Sequence, residues 1–199
     1  MSDAATAVED RRTQLLAAAD RVVQREGSAA SMNVIAAEAG ITKPILYRHF
    51  GDKGGLYRAL AERHIDLLLE RLRAALLTRG GLRARTYATV DAYLASVEEQ
   101  PQVYRFLVER AAVEEPDVRG QVLGFVRRFG DELAAGIANE PQLAGIDPQR
   151  AVIWAHAIAG MVQGTGDWWL DHPEMPRAAV VEQLVALLWD GFVGVAAVR

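Results

Sequence analysis

The sequence predicts an all-α chain of about nine helices, in which a small three-helix N-terminal unit is joined to a larger helical bundle. Three observations predict it. Apolar residues recur at three- and four-residue spacing along nearly the whole chain, the period of a helix with one covered face. The strict alternation of a half-buried strand is absent, while Ala, Leu, Arg and Glu abound. Helix breakers punctuate the periodic stretches at Gly27, Gly40, Gly80-Gly81, Pro101, Pro116, Pro141 and Pro173.

The elements follow in order. The first helix runs from about Glu9 to Arg25, with Leu15, Ala18, Ala19 and Val22 on one face and Gly27 as its stop. Ser31 is placed to cap a short second helix ending at Gly40, because its hydroxyl can accept from an orphan backbone N–H. Thr42 can cap a third, with Pro44 in its first turn, where a missing N–H costs little. Asp52 opens a long fourth helix, closed by Gly80-Gly81, with Leu60, Leu67, Leu68 and Leu72 as its apolar seam. Further helices are expected at about 82–99, 102–113, 118–138, 148–170 and 176–196.

Composition narrows the class. Of 199 residues, 51% are hydrophobic and 24% charged, the balance of a globular protein. There is no cysteine, so disulfides and thiolate metal sites are excluded. The N-terminal stretch lacks the apolar core of a signal peptide and no apolar run reaches spanning length, so a cytoplasmic protein that does not engage membranes is expected. The net charge of −4 is unevenly spread: residues 1–64 carry nine Lys/Arg against eight Asp/Glu, residues 65–199 thirteen against eighteen. That asymmetry alone supports little.

The stretch from Ser31 to Lys53, SMNVIAAEAGITKPILYRHFGDK, carries the functional signal. Two short helices crossing steeply at a tight turn need a small residue at the crossing, which Ala36 supplies. They need a turn residue that tolerates positive φ, which Gly40 supplies. They also need an apolar residue on the second helix packing back on the first, and Leu46 stands ten positions after Ala36. This is helix-turn-helix spacing, in which the second helix enters the major groove of double-stranded DNA N-terminus first. Its exposed face carries Thr42, Lys43, Tyr47, Arg48 and His49. Lys43 and Arg48 can donate to phosphates or base acceptors, while Thr42 and Pro44 can offer apolar contact to thymine. Lys53 and the helix N-terminus behind Ser31 suit phosphates. The competing reading is an ordinary surface helix with its cap.

The run IAAEAGITKPILYRHFGDKGGLY resembles the signature of the TetR family of bacterial transcription regulators, specifically over about residues 10–60 and architecturally beyond. The resemblance implies a DNA-binding domain over 9–51 and a ligand-binding and dimerising domain over 52–199. It also implies repression of a palindromic operator, relieved by a small molecule. By the same resemblance Ser31 caps the second helix near a phosphate, and Thr42, Lys43 and Pro44 approach bases. Tyr47 and His49 contact the DNA backbone, and Lys53 clamps a phosphate. One departure is Gly54-Gly55, where the family commonly carries helix-forming residues. Two glycines there weaken the turn by up to about 1 kcal/mol each.

The last two helices carry apolar stripes: Ile153, Ala157, Gly160, Gly164 and Trp168 on one, Val181, Leu184, Val185, Leu188 and Phe192 on the other. In the family resembled, the last two helices of each protomer form a four-helix interface, so a homodimer through both stripes is expected. The alternative is that they pack inside one protomer. A ligand pocket would fall among helices four to eight. Its candidate walls are Tyr93, Phe106, Phe125, Phe129, Trp154 and Met161, with Tyr87 and Tyr104 as further aromatics. Gln163 and His156 are candidates to orient a polar group. Core packing competes with ligand contact at each. The scarcity of charge among them favours a small hydrophobic or lipid-like effector.

An enzyme is not expected, nor any cofactor or metal. None of the four histidines stands in Glu-x-x-His spacing, and there is neither a phosphate-cradling Gly loop nor a Gly-x-Ser-x-Gly turn. A DNA-binding regulator without small-molecule control is the open alternative.

Overall fold

The computed structural model describes the backbone of residues 2–197 and the side chains of residues 10–191. The described residues form helices and turns without strands. They are α1 (Ser2–Glu26), α2 (Met32–Glu38), α3 (Lys43–Phe50), α4 (Lys53–Leu76), α5 (Leu82–Glu99), α6 (101–114), α7 (Pro116–Ala138), α8 (Pro148–Trp169) and α9 (Arg177–Ala197). The all-α expectation stands. Helix α6 departs from regularity: a π-helical stretch, Phe106–Ala111, lies between its α-helical ends. That stretch turns Phe106, Leu107 and Ala111 all inward.

Compactness divides the chain into two units, one made of residues up to 65 with 100–123, the other of 66–99 with 124 onward. This differs from a functional division after residue 51. The first unit takes in the start of α4 and all of α6 because their side chains interlock. Tyr57 and Phe106, both buried, meet edge to face at 4.8 Å. The Arg110 guanidinium donates to the carbonyls of Ser28 and Ala30, holding the turn between α1 and α2.

Within this unit α1 buries Leu15, Ala18, Ala19, Val22 and Val23. His64 on α4 meets the Asp20 carboxylate at 2.6 Å, and Arg63 reaches its other oxygen at 3.3 Å. Arg21 donates to Glu38 at 2.8 Å, binding α1 to α2. The apolar seam of α4 needs correction. Leu60 and Leu72 are buried, but Leu67 is exposed, and Ile65 and Leu69 take the inward positions.

In the second unit α9 packs along α5, and α8 also touches α5. Arg177, at the start of α9, donates to Asp91 at 2.9 Å and to Glu98, which fixes the register against α5. The stripe expected at a dimer contact on α9 is here internal core: Val181, Leu184, Val185 and Leu188 are all buried within the protomer. Phe192, its last member, lies outside the described side chains.

Candidate DNA interface and ligand cavity

The helix-turn-helix is built by short-range chemistry. Ser31 adopts an extended backbone and its Oγ accepts from the Val34 N–H at 3.4 Å, capping α2. Ile35 and Ala36 are buried, and Leu46 is fully buried against them from α3. At the turn Gly40 adopts φ +66°, and the Ile41 N–H donates to the Ala36 carbonyl at 3.0 Å, satisfying an orphan acceptor at the helix end.

Thr42 stands at the N-cap position of α3, but its hydroxyl makes no capping bond. The hydroxyl is therefore uncommitted and exposed, as are Lys43, Pro44 and Arg48. Neither Lys43 nor Arg48 has a carboxylate partner among the described residues; the Lys43 ammonium rests over the Tyr47 ring, 5.6 Å from its centroid. Tyr47 and His49 are half-buried, and the His49 carbonyl accepts from Arg12. Arg12 also lies over the Phe50 ring at 4.8 Å. The exposed face of α3 thus presents Lys43 and the Thr42 hydroxyl at its start and Arg48 in its last turn, while His49 and Phe50 are tied to α1 through Arg12.

Lys53 differs from them. Its ammonium lies 2.6 Å from the Glu114 carboxylate and 5.3 Å from the centroid of the Tyr57 ring. The hydrogen bond to Glu114 pushes the Lys53 pKa up, and the same bond holds Glu114 below the usual carboxylate range. Glu114 also receives Arg110 at 3.1 Å. A phosphate approaching Lys53 must therefore displace a carboxylate already in place. No spacing rule could have found Glu114, which is sixty-one positions away in the chain.

Of the two glycines beside Lys53, Gly55 has a strict steric reason and Gly54 a lesser one, since it meets only the movable end of a side chain. A Cβ on Gly55 would lie 1.8 Å from the Phe50 carbonyl oxygen, an overlap with backbone that no rotamer relieves. A Cβ on Gly54 would lie 2.5 Å from a Glu115 carboxylate oxygen. The Asp52 carboxylate accepts from the Gly55 N–H at 2.6 Å and caps the helix. The tight entry into α4 thus replaces intrinsic helix propensity with close approach.

The second unit contains a cavity of about 320 Å³, within the usual size range of small-molecule sites. Leu72 and Leu76 of α4, Val90 of α5, Leu133 and Ile137 of α7, and Val162 of α8 give it aliphatic walls. Of the sequence candidates, Tyr93, Phe125, Phe129 and Gln163 line it. Phe106, Trp154 and Met161 are not among its lining residues. Phe106 belongs to the core of the first unit, on Tyr57. Trp154 packs against the cluster around Ala134, Ile137 and Ala155. Tyr87 and Tyr104 are also away from the walls, and His156 sits against Gly130, bonded to Asp131 at 3.2 Å. Arg85, Thr86, Thr89 and Glu140 also line the cavity; no sequence signal marks them, because polar residues on or beside an amphipathic helix read as its solvated face.

These features define a helix-turn-helix DNA-binding protein with a hollow helical unit. Residues 15–60 match the bacterial regulatory proteins of the tetR family, and residues 71–198 match the tetracyclin repressor-like C-terminal domain. The chain is 35% identical over 185 residues to the HTH-type transcriptional activator FasR of Mycolicibacterium smegmatis, covering 92% of this chain and 83% of that protein. A crystal structure of a tetR-family regulator from Streptomyces coelicolor superposes with a TM-score of 0.80 at 26% identity, over 96% of this chain and 84% of that one. FadR of Bacillus subtilis, solved with stearoyl-CoA, shares the fold with a TM-score of 0.70 at 15% identity, over 88% and 96% of the two chains. The chain belongs to the TetR family of bacterial transcription regulators. No helix among the described residues is long and apolar enough to cross a membrane.

Proposed function

We propose that the protein binds a palindromic operator as a homodimer and that a small apolar effector in the second-unit cavity controls this binding. The uncommitted polar face of α3 carries the DNA part of the reading. Thr42, Lys43, Pro44 and Arg48 are exposed, and neither cation has a carboxylate partner among the described residues. Base discrimination then falls to Thr42, Lys43 and Pro44, and phosphate contact to Arg48, Tyr47, His49 and the Ser31-capped end of α2. Lys53 joins them once it leaves Glu114.

The apolar stripe of α8 supports the dimer. Ile153 is 65% exposed and Trp168 46%, with Ala157, Gly160 and Gly164 exposed between them. A large apolar residue at each end of a small-residue stripe suits close approach of a second helix. On α9 the exposed Leu187 replaces the internal stripe as the interface candidate.

The cavity supports effector control over a ligand-free regulator. Helix α4 carries Lys53 at its start and Leu72 and Leu76 on the cavity wall near its end, so one continuous helix contributes residues to both sites. An effector shifts the equilibrium only by binding the DNA-incompetent conformer more tightly, and by linkage operator DNA then weakens effector binding by the same factor. The expected sign is repression; the activator name of the 35%-identical relative favours a second reading, activation from a differently placed operator.

The test begins with genome-wide mapping of bound sites, then follows DNA anisotropy during titration with a panel of apolar compounds. Dimer binding to a palindrome and release by a cavity ligand are the expected results. Tight binding of a lone half-site by a monomer would overturn the dimer. An equal affinity of effector for free and DNA-bound protein would remove that compound as the inducer.

A further inference from the structure

Among the described residues the cavity is lined by two charged ones, Arg85 and Glu140, and they are paired with each other. Their states of commitment differ. Both Glu140 carboxylate oxygens are engaged, one by Arg85 and one by the Gln142 N–H at 3.5 Å. The side chain is only 10% exposed. Arg85 presents five N–H donors, as any guanidinium does, and one of its nitrogens has an acceptor among the described residues. The neighbouring hydroxyls have committed their protons: Thr86 donates to the Leu82 carbonyl at 2.9 Å and Thr89 to the Arg85 carbonyl at 2.8 Å. Spare donor capacity among the charged groups of the cavity is therefore cationic.

The placement of the pair adds direction. Arg85 lies in the first turn of α5 and Glu140 just past the end of α7, and the cavity extends along both helices, to Tyr93 on α5 and Phe125 on α7. At the rise of an α-helix, Phe125 and Ile137, both on the cavity wall, are about 18 Å apart along α7. Aliphatic and aromatic side chains dominate the wall between. The cavity is thus a long apolar slot with charge at one end.

We propose that this slot takes a single-chain amphiphile with an anionic head, a carboxylate or a phosphate, and that Arg85 selects the head. Glu140 occupies the guanidinium while the site is empty. The arriving anion accepts from the spare N–H groups in the forked geometry that guanidinium provides. The chain lies along Val90, Leu133 and Phe129 toward Phe125. This rests on the effector-binding role proposed for the cavity, and it adds the class of head group and the residue that reads it.

Calorimetric titration with palmitate, hexadecyl phosphate, hexadecanol and hexadecylamine, each below its micellar concentration, tests it. The two anions are expected to bind at least about tenfold more tightly than the alcohol, the scale of a hydrogen bond to a charged group. Comparison of the two anions distinguishes a carboxylate from a phosphate source. Arg85→Met should abolish the preference for the anions over the alcohol, and Arg85→Lys should retain part of it. Glu140→Gln should tighten both anions by removing the resident competitor. A circular-dichroism melt accompanies each variant, and should Arg85→Met not fold, a reduced but surviving anion preference in Arg85→Lys carries the test, while an undiminished one would overturn the assignment to Arg85. Equal binding of alcohol and anions, or stronger binding of the amine, would overturn the head-group assignment while the effector site stood. Failure of all four chains to bind would overturn the effector site itself.

Discussion

Two regions of this protein place apolar residues at helical spacing and use them differently. In the helix-turn-helix, Ala36 and Leu46 lie ten positions apart and are both buried, and the short turn at Gly40 brings the two helices that carry them together. In the C-terminal pair, α9 spends Val181, Leu184, Val185 and Leu188 on α5, while α8 leaves Ile153, Gly160, Gly164 and Trp168 uncovered. The lesson is that helical periodicity identifies a face that seeks cover, and a short connection is needed to say what covers it. The same division between committed and open groups separates Lys53, held by Glu114, from Lys43.

The strongest break in this comparison is Leu184→Glu. Because the side chain is buried on α5 inside the protomer, an unpaired carboxylate there should cost several kcal/mol. Domains of ordinary stability hold only about 5–15 kcal/mol in total, so the variant should unfold far earlier in a denaturant titration. A normally folded but monomeric Leu184→Glu would instead show that α9 gives this face to a second chain.

Next in size is Ile153→Glu on the open face of α8. Its fold should survive, with an unchanged melting curve, while sedimentation shows the monomer and operator affinity falls steeply. A folded and fully dimeric variant would locate the contact elsewhere, with Leu187→Glu as the following candidate.

A smaller effect is expected at α3. Lys43→Ala should change preference among operator variants and cost roughly 1–3 kcal/mol per lost base contact. Lys53→Ala should weaken all sequences alike and flatten the salt dependence, since a phosphate contact carries no sequence information. Anisotropy titrations on an operator panel at two salt concentrations separate the two. A changed sequence preference in Lys53→Ala alone would reverse these roles.

The smallest effect is expected from Glu114→Gln, which frees Lys53 without removing it. Binding to every DNA sequence should tighten by a few-fold, about the value of an exposed ion pair. The pair also has a pH signature. Glu114 is held below its ordinary value, so its contribution to stability is complete above the ordinary carboxylate range and is lost as pH falls through the lowered value. Acid melts of the parent and Glu114→Gln should converge at low pH; curves that stay parallel would show that the carboxylate contributes nothing there.

The helical class, the breakers and the DNA-reading motif follow from the sequence because each rests on neighbours within a turn or two. Examples are the Ser31 cap, the positive φ at Gly40 and the Ala36–Leu46 crossing. The resemblance carried by those same residues extended the reading to a family. Tertiary structure alone decided that the α9 stripe is core, that Phe106 belongs with Tyr57, and that Glu114 occupies Lys53. It alone also brought Arg85 and Glu140 to one end of a slot. The physical reason is range. Caps, turns and helical period are fixed by covalent neighbours. The partner of a long helix face, or of a charge on it, is set by elements about fifty to a hundred residues away, whose approach depends on the packing of the whole unit.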